Sequence, residues 1–465
     1  MRKNAFSADV NSSIYQQCKQ FQQEFAQLFS DENLNFLARK HNFIKRDRKI
    51  TGCSFVKTLV FSEEDHEHLS LLDLKCDIIE HSEYRISQEA IHKRFTPEAV
   101  SFLKDVFSQF LSHKLDLINN TALKNSFFSS LHIKDSSKFK LPVSYQSNYP
   151  SYGSFNKTSS LMNLQYEFDI FTGQWKSLEL TKATRNDQAD SSETTLEIKK
   201  GSLNIRDLGY ITTMYLKGIE KNEAYYVNRL PKIGVYQLIE DSYEPIDWKA
   251  LDKKIKEKGL NHLELEVYLG EKDKIKTRLL LAPIPDCVAQ ERIRKAKQGG
   301  KRSKGYQLSK EYKIKAHYNI YISNVPQEIL SIDQVIETYK LRWQIELVFK
   351  TWKSNLNIHK IKSMKKERME CQLIAKLIWI LLNSKILQIA NSALKVNKPD
   401  MGCSSVKFYK RAKTYSQTLR YIIDYRGSFS NWFITTIVPI IPDLIIEKRM
   451  NKNTHCQIFN KIFAG

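Results

Sequence analysis

Residues 339–353 read YKLRWQIELVFKTWK, and a helix turning about 100° per residue gathers Tyr339, Arg342, Glu346 and Lys353 into a stripe about 60° wide. Leu341, Ile345, Val348, Trp352 and Leu356 fall on the opposite half of the turn. Whatever fold contains this segment must give five large apolar side chains a core and leave the stripe facing a groove. In that groove one carboxylate lies among three side chains suited to phosphate, an arrangement fit for an acid that holds a metal beside a nucleic-acid backbone. A lone Glu binds a divalent cation weakly, and phosphoryl transfer with two metals needs several carboxylates. Two further acids are therefore expected upstream.

The upstream chain offers them on strands. Phe127, Phe128, Leu131 and Ile133 lead into Asp135, and the run LHIKDSSKFKLP closes in a polar turn and a proline, which places Asp135 at a strand end. A hairpin follows: residues 164–171 alternate, Thr172-Gly173 turns, and residues 175–180 return. After a polar link, residues 203–206 form a short strand ending in Asp207, then Leu208-Gly209-Tyr210 and a helical run to about residue 219. Asp169, in YEFDIFTG, competes with Asp135 for the first position, but it lies on the second strand and shares a face with Glu167. Asp135 is preferred. Turns and helix caps account for most aspartates; three carboxylates in the order strand, strand, helix are harder to reach by accident.

The spacing Y-x2-R-x3-E-x6-K at residues 339–353, with Asp207-Leu208-Gly209-Tyr210 and the looser Asp135-Ser136-Ser137, resembles the DDE transposases of bacterial insertion sequences, in the group marked by the YREK signature. The resemblance covers about residues 30–390 and is strongest at the signature helix. It implies an α/β fold, a ribonuclease-H-like catalytic core interrupted by a β-rich insertion, with helical N-terminal and C-terminal regions. It implies that Asp135, Asp207 and Glu346 are the catalytic residues and ligands of two Mg2+ ions, with Mn2+ able to substitute. Tyr339, Arg342 and Lys353 are implied to contact transposon-end DNA; Lys350, Lys360 and Lys362 extend that basic surface. The expected activity is cleavage at the terminal inverted repeats and strand transfer into target DNA, by way of a nick, a hairpin, its reopening by water, and joining. Two readings compete: another ribonuclease-H-like nuclease such as a junction resolvase, and an inactive DNA-binding relative. The large insertion and the four-part signature disfavour the first, and the intact acids the second.

Charge is consistent with a polyanionic partner. The 465 residues contain 73 Lys plus Arg against 51 Asp plus Glu, a formal +22, and nine Lys or Arg against two Glu lie between residues 339 and 368. Double-stranded DNA attracts such a surface through counterion release, and binding should weaken steeply with salt. No Walker A loop appears, so no nucleotide cofactor is expected; no HExxH or paired Cys/His spacing supports zinc. The seven cysteines form no CxxC pair and read as reduced thiols. The opening MRKNAFSADVNSS lacks an apolar signal core, and the apolar run 373–389 is interrupted by Lys376, Asn383 and Lys385. A soluble cytoplasmic protein acting on chromosomal or plasmid DNA, with no membrane partner, is expected.

Length and pattern divide the chain into five regions. Residues 1–118 read as helical, with apolar positions at Tyr15, Cys18, Phe21, Phe25, Leu28 and Phe29. Ser87 caps a short helix, Thr96-Pro97-Glu98 opens another, and RKHNFIKRDRK at 39–49 adds a basic patch around Phe43; a helix-turn-helix-like DNA-binding unit and a plain helical bundle are equally compatible. Residues 119–222 form the first part of the core. Residues 223–335 are the insertion, strand-like at 224–230, 235–239, 263–270, 277–285 and 317–326, with a basic loop at 292–304 and with Trp248 and Tyr306 as candidates to stack an unpaired base. Residues 336–394 carry the signature helix. Residues 395–465 are a C-terminal helical region for which the family implies contact with a second subunit, a homodimer pairing the DNA ends.

Overall fold

The computed structural model describes residues 8–46, 49–62, 68–82, 84–112, 127–151, 159–300, 307–447 and 454–463. The architecture is mixed α/β, built on one ten-stranded sheet. Its strands are β1 (Ser130–Leu141), β2 (Ser160–Asp169), β3 (Trp175–Lys182), β4 (Ser202–Arg206), β5 (Tyr225–Arg229), β6 (Val235–Ile239), β7 (Ser242–Pro245), β8 (Leu263–Leu269), β9 (Ile275–Pro283) and β10 (Tyr318–Ser323). They lie in the order β3-β2-β1-β4-β5-β10-β9-β8-β6-β7.

β1, β2 and β3 form an antiparallel meander, Gly173 taking φ +70° in the β2–β3 turn. β4 joins β1 in parallel, Leu131 beside Leu203 and Ile133 beside Ile205, and β5 joins β4 in parallel. All four of those apolar side chains are fully buried, as parallel strands covered on both faces require. β5, expected within the insertion, is shared: parallel to β4 on one side, antiparallel to β10 on the other. The remaining strands prolong the sheet antiparallel.

The helix Lys366–Asn397 is the spine of the larger core. It is long and apolar enough to cross a membrane, yet 94% of its most apolar window is buried inside the protein. Lys376, Asn383 and Lys385, read from sequence as interruptions, are themselves buried within it. Helices Ala8–Leu28, Gly52–Val60, Pro97–Ser112 and Ser405–Ala412 pack against it. Phe21 and Phe429 meet with ring centroids 4.2 Å apart, so residues near both ends of the chain share this core. A second core, built from Tyr215, Leu216, Val267, Leu279 and Ile322, lies against the helix Trp248–Glu257 and the outer strands.

The two capped helices expected near residue 90 are present. Ser87 Oγ accepts from Ala90 N at 3.1 Å and Thr96 Oγ1 from Ala99 N at 3.3 Å. The second of them, Pro97–Ser112, presents Phe102, Leu103, Val106 and Phe110 to the core. Phe43, expected on a basic surface, is buried with the Arg94 guanidinium 5.2 Å from its ring centre. The basic stretch expected as a loop at 292–304 begins as helix, Asp286–Gly300, because Ala289 and Ile293 give it a buried face; residues 301–306 lie outside the described residues.

Candidate active site

The parallel ladder between β1 and β4 ends at Lys134 opposite Arg206. The next residues are Asp135 and Asp207, so two carboxylates stand side by side at the carboxyl ends of neighbouring parallel strands, where α/β sheets open onto a crevice. Asp135 is not at a strand end, as the proline and polar residues suggested. β1 continues to Leu141 because β2 goes on pairing with it after β4 has stopped. Asp169 lies away from this point, opposite His132, with Oδ1 accepting from Leu131 N and Phe171 N and Oδ2 from Thr172 Oγ1; it fastens the hairpin turn.

The signature segment is not one helix. Ile332–Lys340 and Trp343–Ser354 are separate helices joined by a tight turn in which Leu341 N bonds Thr338 O and Arg342 N bonds Tyr339 O. Leu341, Ile345, Trp352 and Leu356 are buried as the pattern requires, and Val348 is half-buried. Despite the break, Arg342 and Glu346 share one face. Arg342 Nη2 pairs with Glu346 Oε1, while Nη1 lies 3.4 Å from Asp135 Oδ2 and 3.6 Å from Asp207 Oδ1. One guanidinium therefore bridges all three expected acids.

Around it the stripe is completed by two other residues. Lys353 is half-buried and donates from Nζ to Lys138 O at 3.1 Å; burial lowers its pKa. Tyr339 packs edge-on to Tyr321 at 5.4 Å, between the guanidiniums of Arg342 and Arg229, and burial raises its hydroxyl to about 12. Lys350, Lys360 and Lys362 are exposed beyond the helix. Trp248 is buried under the Lys315 ammonium, 4.1 Å from its ring, so it offers no open stacking face, and Tyr306 lies outside the described residues. Trp343, next to Arg342, is instead an exposed aromatic, at 56%.

Electrostatics mark Asp135 as the strained acid. Burial, reinforced by the Asp207 charge, pushes its carboxyl up to about 7 against the Ser136 N–H and Arg342. Among the described residues no group of three or more His, Cys, Asp or Glu is disposed to hold a metal; the guanidinium is the cation they share. Their donor chemistry nevertheless fits a hard divalent ion: three carboxylates converge on one positive group. Arg342 Nε is buried without a hydrogen-bond partner.

The reverse face of the sheet holds a layer that sequence reading did not assemble. Lys134 and Arg206, each immediately before a candidate ligand, point there with Glu167. Glu167 lies 2.9 Å from Lys176, 3.8 Å from Arg206 and 3.9 Å from Lys134, and Lys134 lies 2.5 Å from Asp190. Burial opposes the Glu167 charge, but Lys176, Arg206 and Lys134 outweigh it and hold the carboxyl at about 2. His132 is driven down to about 4 by burial and by Lys176. Charged residues inside hydrophobic strand runs were the available signal.

Residues 127–382 match the family described as Transposase DDE domain. The chain belongs to the DDE transposases of insertion sequences. It is 31% identical over 409 residues to the transposase for insertion sequence element IS231B of Bacillus thuringiensis subsp. berliner, spanning 84% of this chain and 85% of that protein. Against the transposase for insertion sequence element IS1151 of Clostridium perfringens it is 28% identical over 419 residues, 86% of this chain and 87% of that one. Among solved structures, the piggyBac transposase synaptic complex with hairpin DNA covers 96% of this chain and 89% of its own at 10% identity, with a TM-score of 0.42, too low to bear on the site. The function of this transposase is DNA transposition, and its DDE domain implies dependence on a divalent metal.

Proposed function

We propose that this transposase cuts DNA at the terminal inverted repeats of its own element and joins the freed ends to target DNA at the site formed by Asp135, Asp207 and Glu346. The observation that carries the reading is the convergence of these three carboxylates on Arg342 at the carboxyl end of the β1–β4 pair. The strand order 3-2-1-4-5 with an antiparallel second strand supports a ribonuclease-H-like core over 119–222 and 336–394, with 223–335 as an insertion that extends its sheet. The spacing of Tyr339, Arg342, Glu346 and Lys353 supports the YREK group.

Asp135, Asp207 and Glu346 would hold two Mg2+ ions, with Mn2+ a substitute. Bound there, the ions supply an activated attacking oxygen and charge stabilisation for the leaving oxygen of an in-line displacement. The protein's own part is positional. Burial keeps Asp135 in a setting where its ionised form calls for a positive partner. Arg342 presents a planar fork to phosphate oxygens and Lys353 a point charge. Tyr339 braces Arg342, and Lys350, Lys360 and Lys362 track the duplex backbone. The helical region 1–118 reads the terminal repeats, residues 395–465 meet a second copy in the DNA complex, and the protein works in the cytoplasm on chromosomal or plasmid DNA.

The test is incubation of the purified transposase with linear DNA carrying the inverted repeats that flank its gene. Cleavage at the repeat boundary in Mg2+, abolished by EDTA and by Asp207→Asn, is expected. Intact DNA under every metal condition, with binding retained, would overturn the reading.

A further inference from the structure

Asp187 begins the helix Asp187–Glu193 behind the sheet, after its N-cap Asn186. Its Oδ1 accepts from Ser136 Oγ at 2.8 Å and from Gln165 Nε2 at 3.3 Å. Ser136 directly follows Asp135. Gln165 in turn accepts from the hydroxyl of the fully buried Tyr210, three residues beyond Asp207. The turn between Asp207 and Tyr210 closes on the same carboxylate: a Cβ at Gly209 would stand 3.1 Å from Asp187 Oδ2. That close approach gives a physical reason for glycine in the Asp207-Leu208-Gly209-Tyr210 turn.

A single carboxylate thus touches the residue after one candidate ligand and, directly and through Gln165, the turn after the other. We propose that Asp187 is a positioning residue which fixes the spacing of Asp135 and Asp207 for cation binding. The inference rests on the reading that those two residues hold a divalent ion. Its chemistry is that of outer partners generally: ligands held by hydrogen-bonded neighbours bind without reorganising, and losing such a neighbour costs about tenfold to a hundredfold in metal affinity or activity. A simpler role exists, because an acid in the first turn also favours the helix dipole. The two roles separate by substitution: an amide oxygen still accepts both hydrogen bonds but carries no charge.

Mn2+ binding to the full-length protein without DNA, followed by calorimetry, reads the effect directly. Asp187→Ala should weaken Mn2+ affinity about tenfold, and Asp187→Asn should stay within about threefold of the parent. DNA binding in EDTA should be unchanged for both. In a double-mutant cycle, Ser136→Ala should cost little once Asp187→Ala is present. Parental Mn2+ affinity in Asp187→Ala, equal losses in the Ala and Asn variants, or loss of DNA binding in EDTA would each overturn the proposal. If Asp135→Asn leaves Mn2+ binding intact, the underlying assignment of the ligands fails instead.

Discussion

At the scale of single residues, Asp135 and Glu167 sit on opposite faces of the same strand pair and are tuned in opposite directions. Asp135 has a folded pKa of about 7 against an ordinary 3.8. The folded state therefore holds more protons than the unfolded one between those values, and stability falls as pH rises through that window. In EDTA, Asp135→Asn should melt higher than the parent at pH 8, on the order of a few degrees, with the gap closing toward pH 4; thermal melts across pH check this. Glu167 has a folded pKa of about 2 against 4.5, so its contribution is present above pH 4.5 and lost as pH falls through 2. Glu167→Gln leaves Lys134, Lys176 and Arg206 without their shared anion and should cost about 3 kcal/mol in urea unfolding at pH 7. A parental midpoint in that variant would show that the cations rearrange to other partners.

At the scale of elements, the helix Thr213–Lys221 shows how tightly the site's supports are fitted. A Cβ at Gly218 would lie 1.8 Å from Thr195 Cγ2. Gly218→Ala should lose about 1–3 kcal/mol by overpacking, and adding Thr195→Ser, which removes that methyl group, should restore part of it; denaturant midpoints of the single and double variants decide. Strand positions in this region were legible because short apolar or alternating runs bounded by polar and turn residues announce themselves: 203–206, 225–229 and 263–269 lie where the pattern put them. The short β7 went unread because its four residues are exposed and carry no alternation. The break at 341–342 was invisible for a different reason. A tight turn of i→i+3 bonds keeps side chains nearly in phase, so the helical spacing survives a discontinuity in the helix. The face shared by Arg342 and Glu346 could be read from four residues of spacing. That Arg342 also reaches Asp135 and Asp207, and that Asp187 lies behind both strands, depends on folding segments up to about two hundred residues apart onto one another, which local periodicity does not encode.

At the scale of the whole molecule, the N-terminal helices are fastened to the segment 420–427 and are not appendages. Arg420 donates twice to Asp77 at 2.9 Å, Lys57 pairs with Asp424 at 2.5 Å, and Gln22 donates to Gly427 O at 2.8 Å, all around the helix Lys366–Asn397. Arg420 is buried, so Arg420→Ala strips the guanidinium from Asp77 and leaves that carboxylate to the Thr58 hydroxyl and to His81 at 3.8 Å; it should destabilise the protein by about 3 kcal/mol, seen as a lower midpoint of one cooperative transition. Two separate transitions would mean that the N-terminal helices melt independently of the core. This continuity ties the sheet that carries Asp135 and Asp207 to the regions proposed to bind DNA ends and a second subunit. The direct measurement is anomalous diffraction from crystals of the transposase soaked in Mn2+. Manganese bounded by oxygens of Asp135, Asp207 and Glu346 is expected; manganese bound elsewhere, with Arg342 still bridging the three carboxylates, would contradict the proposed site.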